Sequence, residues 1–259
     1  MTWLHEQHAW AVLFVVCGIV GLIAAGGQLL VHRWFARTDF VQHNEVAGYV
    51  LGVLGTIYAV MLSFVTVVVW QEYDASTTRL SIERAEVASV WHLAVGLPEP
   101  LRAHVQSGMG RYARLMIDEE WPLMRVGQNS SRAEDVLTDL IGELSRAKTL
   151  SPGEAVVQSQ SLQHLIAVHS ARNERLTDNV SGVNWLEWTV MFLGAATVIG
   201  MGYLFGLRNV RVHLMMTATL AIVIASMWVL IFELDYPYRG DLAISPQTWD
   251  SFLRRIEAP

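Results

Sequence analysis

Four long apolar runs dominate the chain, two before and two after a charged central region. They extend from about Ala9 to Val31, Val46 to Trp70, Trp185 to Leu207 and Val212 to Phe232. As a helix, the second run would reach about 37 Å, enough to cross roughly 30 Å of hydrocarbon with some tilt. A charge at the centre of a span costs roughly 2.5–3.5 kcal/mol, and none lies there. The pattern therefore predicts four transmembrane helices.

The segment between the second and third runs has the charge of an ordinary soluble domain and helical periodicity. Helices are expected from Leu101 to about Glu120, from Ser131, from Ser151, and in the tail from Gln247 to Ile256. Serine followed three residues later by glutamate is a capping box, and it marks the second and third of these starts. The helices that leave the second run and enter the third are expected to continue those runs.

The fold class predicted from these patterns is an all-α membrane protein, with four transmembrane helices in two pairs and an inserted helical soluble domain. The predicted parts are residues 1–8 as an N-terminal stub, 9–70 as the first two spans, 71–184 as the soluble domain, 185–232 as the last two spans, and 233–259 as a C-terminal tail. The stub carries Glu6 and no Lys or Arg, so the first span is expected to be retained rather than cleaved as a signal peptide.

Arginines in the short loops indicate the orientation. Arg33 and Arg37 follow the first span, and Arg208 and Arg211 lie between the third and fourth. Short basic loops stay in the cytoplasm, so the soluble domain and both termini are predicted to lie outside it. Arginines that flank the domain oppose this assignment. The expected location is the bacterial inner membrane, crossed several times.

Composition excludes several functional classes. The chain is 53% hydrophobic and 16% charged with a formal net charge of −6, so no basic surface is available for nucleic acid. The single cysteine, Cys17, cannot form an intramolecular disulfide. The histidines lack metal-ligand spacing, and no phosphate loop, nucleophile elbow or dinucleotide fingerprint occurs. We therefore expect no enzyme activity, no metal and no cofactor.

One face of the second span is small and polar in an otherwise bulky apolar helix. Its members recur at spacings of three and four residues: Glu45, Tyr49, Gly52, Thr56, Ala59, Ser63, Thr66 and Trp70. Such a stripe favours either close helix packing, in which hydroxyls bond across the contact, or the lining of an ion pore. The pairs Gly48–Gly52 and Gly202–Gly206 have the GxxxG spacing typical of helix packing.

A pore lined by this stripe would have charged ends. Glu72 and Asp74 follow the second span, and Glu233 and Asp235 end the fourth, so together they would form an acidic mouth that concentrates cations. The loop arginines at the other end would concentrate anions. The charges alone leave the preferred ion open.

Several short motifs resemble those of a bacterial family of bestrophin-like membrane proteins, over nearly the whole chain. They are His43 to Gly48, Tyr58 to Val60 with Trp70, Glu120 to Pro122, and Leu234 to Asp241 followed by Ser245 and Pro246. The resemblance implies a pentameric channel for chloride or, in some bacterial relatives, for cations. It also implies that the second span lines the pore, with a helical domain between the second and third spans. The family's cytoplasmic domain differs from the orientation predicted above. The second span also lacks a run of bulky aromatic residues, and no acidic calcium clasp is found.

The sequence thus supports two functions. The first is a homo-oligomeric ion channel in a lipid bilayer, with the second span lining its pore and small ions passing through. The alternative is a non-conducting sensor or assembly protein, whose soluble domain binds a partner and whose stripe only packs helices.

Overall fold

The computed structural model of the chain describes residues 8–35, 44–148, 151–206 and 209–258, and the regular secondary structure within these residues is helical, with no strand. The α-helices are α1 (Ala9–Trp34), α2 (Asn44–Leu93), α3 (Leu101–Leu115), α4 (Trp121–Met124), α5 (Ser131–Arg146), α6 (Pro152–Asp178), α7 (Trp185–Tyr203), α8 (Val210–Asp235) and α9 (Gln247–Glu257). The predicted all-α fold class is confirmed. Arg37, His43 and Arg208, used above for orientation and resemblance, and nearly all of the N-terminal stub lie outside the described residues.

Four helical segments are long and apolar enough to cross a membrane. They are Ala9–Trp34, Asn44–Gly96, Trp185–Tyr203 and Val210–Asp235, which confirms the four predicted spans. The described residues fall into two compact units. The first comprises the described residues between 8 and 72 and between 182 and 235, and the second comprises those between 73 and 181 and between 236 and 258. The first unit therefore contains the apolar helices, and the second contains the charged region together with the tail.

The second span is the beginning of a much longer helix. Helix α2 continues without a break to Leu93, as expected from the sequence. The corresponding expectation for the third span is wrong, because α6 ends at Asp178 and a new helix starts after Asn184. Asn184 accepts a hydrogen bond from the Leu186 amide at 3.0 Å, and Glu187 accepts one from the Asn184 amide at 3.1 Å. This capping box starts α7 as a separate helix.

The start signals inside the second unit are nearly as predicted. Ser151 caps α6 in a capping box with Glu154. Ser130, rather than Ser131, caps α5, with its side chain accepting from the Ala133 amide at 3.2 Å. A π-helical turn, Met116–Glu120, follows α3 where the sequence indicates an uninterrupted helix.

The second unit has a dense apolar core that includes the tail. Trp249 and Phe252 of α9 are buried in it, as expected for an amphipathic helix. The Trp121 indole N–H donates to the Ile244 carbonyl at 2.8 Å, and the Tyr238 hydroxyl donates to the Ser76 carbonyl at 3.3 Å. The tail is therefore held to this unit by hydrogen bonds as well as by apolar packing.

Candidate pore-lining face

The polar stripe of the second span is exposed along α2 in the single chain. Tyr49 is 77% exposed, Gly52, Thr56, Ala59 and Ser63 are also exposed, and Thr66 is partly buried. The hydroxyls of Thr56, Ser63 and Thr66 each donate to the backbone carbonyl four residues earlier, at 2.8 Å. These internal bonds satisfy the hydroxyl hydrogens and leave oxygen lone pairs on the outer surface of the helix. The stripe therefore does not pack helices within the chain.

A different face of α2 makes the contacts inside the first unit. Tyr58, Leu62 and Val69 are each 5–6% exposed, and at about 100° per residue they point about 110° away from the stripe. The Tyr58 hydroxyl donates to the Met191 carbonyl at 3.1 Å and accepts from the Trp228 indole at 3.2 Å. These bonds fix the rotation of α2 relative to α7 and α8, and so fix where the stripe points.

The remaining exposed face of α2 is bulky and apolar. Its exposed members, each at least 45% accessible, are Val46, Val53, Ile57, Val60, Phe64, Val67 and Val68. Hydrocarbon can cover this face at no cost to any polar group. A single chain therefore presents two exposed faces of opposite character, and the stripe is the one that bulk lipid suits less well.

The four residues predicted for the pore mouth differ in exposure. Glu72 and Asp74 are exposed, whereas Glu233 is 3% and Asp235 is 9% exposed. The Asp235 carboxylate accepts from the Val183 amide at 2.6 Å, which ties the end of α8 to the segment before α7. Asp235 thus has a local structural role, and the mouth assignment remains a prediction for all four residues.

Close helix approaches occur at glycines other than those of the two predicted pairs. A Cβ added to Gly52 or Gly202 would meet no atom within 4 Å, and one on Gly48 would lie 3.8 Å from the Phe205 ring. By contrast, a Cβ on Gly194 would lie 2.6 Å from the Tyr58 ring. Any packing role of Gly52 and Gly202 therefore involves contacts outside the chain. Gly206 is held by the Asn44 side chain, which bonds both its amide (2.9 Å) and its carbonyl (3.0 Å).

The second unit contains a buried network of charged residues that the sequence analysis did not identify. Arg175 is fully buried and donates to both Glu83 oxygens, at 2.6 and 3.1 Å, and to Glu120 at 3.0 Å. Arg172 donates to both Glu120 oxygens, at 2.9 and 3.0 Å. The Tyr112 hydroxyl donates to Glu83 at 2.6 Å. Two guanidinium and two carboxylate groups therefore neutralise one another in the core.

The electrostatics of this network favour the charged forms. Burial raises the pKa of the Glu120 carboxyl, but Arg175 and Arg172 outweigh it and hold that pKa below its ordinary value. Burial likewise opposes the charge of Arg175, yet the Glu83 and Glu120 carboxylates raise its pKa well above the ordinary value. The Arg175 guanidinium also lies 5.0 Å from the centre of the Trp121 ring, a cation–π contact.

No sequence motif indicates this network. Arg172 and Arg175 are among the arginines that flank the domain, and Glu120 belongs to one of the motifs that carry the family resemblance. A usable hint was that all three lie on the apolar side of their helices. Within the described residues, no group of three or more His, Cys, Asp or Glu side chains is placed to hold a metal ion.

Comparisons with known proteins identify relatives of the whole arrangement. The Bestrophin-like domain family matches residues 18–249. A variant of a bacterial bestrophin homologue from Klebsiella pneumoniae superposes with a TM-score of 0.65 at 12% identity, over 94% of this chain and 97% of that one. Another crystal structure of the Klebsiella pneumoniae homologue gives a TM-score of 0.62 at 14% identity, over 94% and 95% of the two chains. A crystal structure described as a membrane protein gives 0.67 at 14% identity, over 94% and 97%. No curated protein matches the chain.

Proposed function

Because the chain belongs to the bestrophin-like family, whose members are in general ion channels rather than enzymes, we propose that it is a homo-oligomeric ion channel. In this proposal α2 lines a central pore, with Tyr49, Gly52, Thr56, Ala59, Ser63 and Thr66 facing the permeant ion. The oligomer is a pentamer by resemblance. It is placed in the inner membrane, with the soluble domain and both termini outside the cytoplasm.

The exposure of the stripe carries the proposal. Hydroxyl and small side chains cover one side of a helix whose packed side is already occupied by Tyr58, Leu62 and Val69. In an oligomer the stripe would be covered either by water and ions or by another subunit. The hydroxyl oxygens retain lone pairs that can replace part of the hydration shell of an ion.

The acidic residues and the family resemblance predict opposite selectivities. Glu72 and Asp74, and with them Glu233 and Asp235, would favour cations at the domain end of the stripe, whereas most bestrophins named by the resemblance conduct chloride. Glu72 and Asp74 are sharper probes than Glu233 and Asp235, because only the first two are exposed. Asp74→Asn should move the reversal potential toward the anion side if this residue contributes to selectivity.

Reversal potential and conductance in planar bilayers under a potassium chloride gradient test the channel proposal. Thr56→Leu and Ser63→Leu put bulky apolar groups on the stripe, so both should lower conductance by dewetting the pore. Val60→Leu is the matched control, because it enlarges a side chain on the bulky face of the same helix. Equal effects of all three variants would contradict a pore along the stripe. The sign of the wild-type reversal potential identifies the preferred ion.

A second function competes with conduction. If the oligomer is a sensor or assembly protein, the stripe is covered by neighbouring subunits and the soluble domain binds a partner. Folded, membrane-inserted protein that passes no current in potassium or chloride gradients would favour this alternative. A dry, closely packed oligomer axis would do the same.

A further inference from the structure

Short connections tie the charged region to the ends of the third and fourth spans. Val180 lies five residues before Trp185, the first residue of α7, and Arg239 lies four residues after Asp235, the last residue of α8. An extended chain covers at most about 3.6 Å per residue, so the two positions lie within roughly 18 Å and 15 Å of those span ends. Val180 and Arg239 are therefore close to the lipid headgroups at the membrane surface.

The Arg239 guanidinium is held beside the residue that follows the fourth span. It lies 4.6 Å from the centre of the Tyr236 ring, a cation–π contact, and tyrosine rings next to spans favour the headgroup level. Its Nη2 donates to the Asn179 carbonyl at 2.6 Å. No other nitrogen of this side chain has a described hydrogen bond, so the Nη1 donors remain for an acceptor outside the chain.

A loop that is far from every span in the sequence reaches the same guanidinium. Gly127, just after α4, has a φ of 76°, a left-handed conformation that favours glycine. A Cβ at this position would lie 2.8 Å from the Arg239 Nη2. Glycine therefore allows both the turn and the close approach of the guanidinium. The contact brings the loop to the level at which the fourth span ends.

The exposed side chains of these segments are aliphatic or cationic. Val126 is 49% and Val180 is 62% exposed, and Arg125 is exposed next to Val126. Among the described ion pairs, none involves Arg125 or Arg239. Aliphatic groups gain by leaving water at a membrane interface, and guanidinium groups bind phosphate strongly. The combination fits a surface of anionic lipid headgroups.

We propose that Arg125, Val126, Val180 and Arg239 form a docking surface for the headgroup layer of the bilayer. The guanidinium groups bind the phosphates of anionic phospholipids, and the valines enter the boundary between headgroups and acyl chains. Lipid is the favoured occupant because the short connections keep two of the three segments near the span ends. The proposal requires only that the spans cross a bilayer, so it holds whether or not the protein conducts ions.

Fluorescence quenching in the full chain tests which groups meet the headgroups. Val126→Cys and Val180→Cys, each in a Cys17→Ser background, are labelled with bimane and reconstituted into nanodiscs of phosphatidylcholine and phosphatidylglycerol. Val156→Cys is the matched control, because Val156 is 57% exposed and lies about 33 Å along α6 from the end of that helix at Asp178. A phospholipid with a nitroxide on its headgroup should quench the first two labels several-fold more strongly than the third.

The melting temperature tests the phosphate contact. Replacing part of the phosphatidylcholine by phosphatidylglycerol should raise the melting temperature of the wild type, and Arg125→Gln should lose part of that rise. Arg146→Gln is the control, because Arg146 is also exposed but lies next to Ala147, whose carbonyl accepts from Gln158 of α6 at 2.9 Å. Arg239 is less suitable for this test, since its guanidinium also holds the Asn179 carbonyl.

Two results would overturn the proposal. Equal quenching of the labels at Val126 and Val156 would show that water or another subunit, rather than lipid, covers the loop. An equal phosphatidylglycerol effect in Arg125→Gln and in the wild type would show that this guanidinium binds no lipid phosphate. Neither measurement uses a current, so a silent protein with strong quenching would contradict the channel and support the docking surface.

Discussion

Replacing Arg175 by methionine should strongly destabilise the second unit. Methionine keeps an unbranched chain of similar length but removes the guanidinium. Glu83 then loses both of its arginine bonds and keeps only the Tyr112 hydroxyl among the contacts described above. Glu120 keeps Arg172. The substitution therefore leaves one carboxylate almost uncompensated in the core.

The expected loss follows from the burial of both partners. Arg175 and Glu83 are each 0% exposed. Breaking a buried ion pair by removing one partner costs about 3–5 kcal/mol, because the remaining charge is stranded. At about 3 °C per kcal/mol for a protein of this size, Arg175→Met should lower the melting temperature by about 10–15 °C. Adding Glu83→Gln should recover about 1–3 kcal/mol, since the stranded charge is then gone.

Thermal unfolding of the full chain in detergent, followed by tryptophan fluorescence, measures these losses. Trp121, one of ten tryptophans in the chain, lies beneath the Arg175 guanidinium and contributes to this signal. Arg132→Met is the matched control, because Arg132 is exposed where it pairs with the partly buried Glu119, and its loss should change the melting temperature little. The network does not stabilise the unit in this way if Arg175→Met has the melting temperature of Arg132→Met and the wild type. The same follows if the destabilisation by Glu83→Gln simply adds to that by Arg175→Met in the double variant.

Two further predictions concern the network and the membrane helices. Wild type should be more stable than Glu120→Gln above about pH 4.5, the ordinary carboxyl pKa. This advantage should vanish as the pH falls through the lower folded-state pKa of Glu120, because the unfolded chain binds more protons in that range. Melting curves of both proteins from pH 7 to 3 measure the difference. Gly194→Ala should lower the free energy of unfolding by about 1–3 kcal/mol, since its Cβ would lie 2.6 Å from the anchored Tyr58 ring. Gly200→Ala is the control, because its Cβ would meet no atom within 4 Å. Equal melting temperatures of the two variants would refute this contact.

The four spans could be predicted because lipid imposes a strict constraint on sequence. A spanning helix must satisfy its own backbone and exclude charge, and both requirements leave a long uncharged run. Helix starts such as Ser151 could also be predicted from the sequence, since a capping box depends on residues three positions apart in the chain. The pattern predicts that α6 runs on into the third span, whereas the helix stops at Asp178 and Asn184 caps a new helix.

The buried network could not be predicted from one sequence. Arg175 lies far along the chain from Glu83 and Glu120, and charged residues are almost never fully buried unless paired. A local pattern shows a helix face but not which charges on it meet across a core. The same limit applies to the glycines, since Gly194 has no GxxxG partner and its close contact is with Tyr58 on another helix.

The motifs that carried the family resemblance are mostly residues that join elements of the fold. Asn44 binds Gly206, Tyr58 binds Met191, and Trp121 binds Ile244. These bonds connect residues more than 100 positions apart, so they depend on the tertiary fold rather than on one helix. The resemblance is therefore strong evidence for the architecture and weak evidence for the permeant ion.

The residues proposed to face the pore have the opposite character. Thr56, Ser63 and Thr66 bond only to the backbone of their own helix in the described contacts, so the fold of the single chain does not require their hydroxyls. Substitutions there should change conductance without unfolding the chain, whereas substitutions at Tyr58 or Asn44 should destabilise the fold. Loss of folding in Ser63→Leu would show that the stripe is a packing surface between subunits.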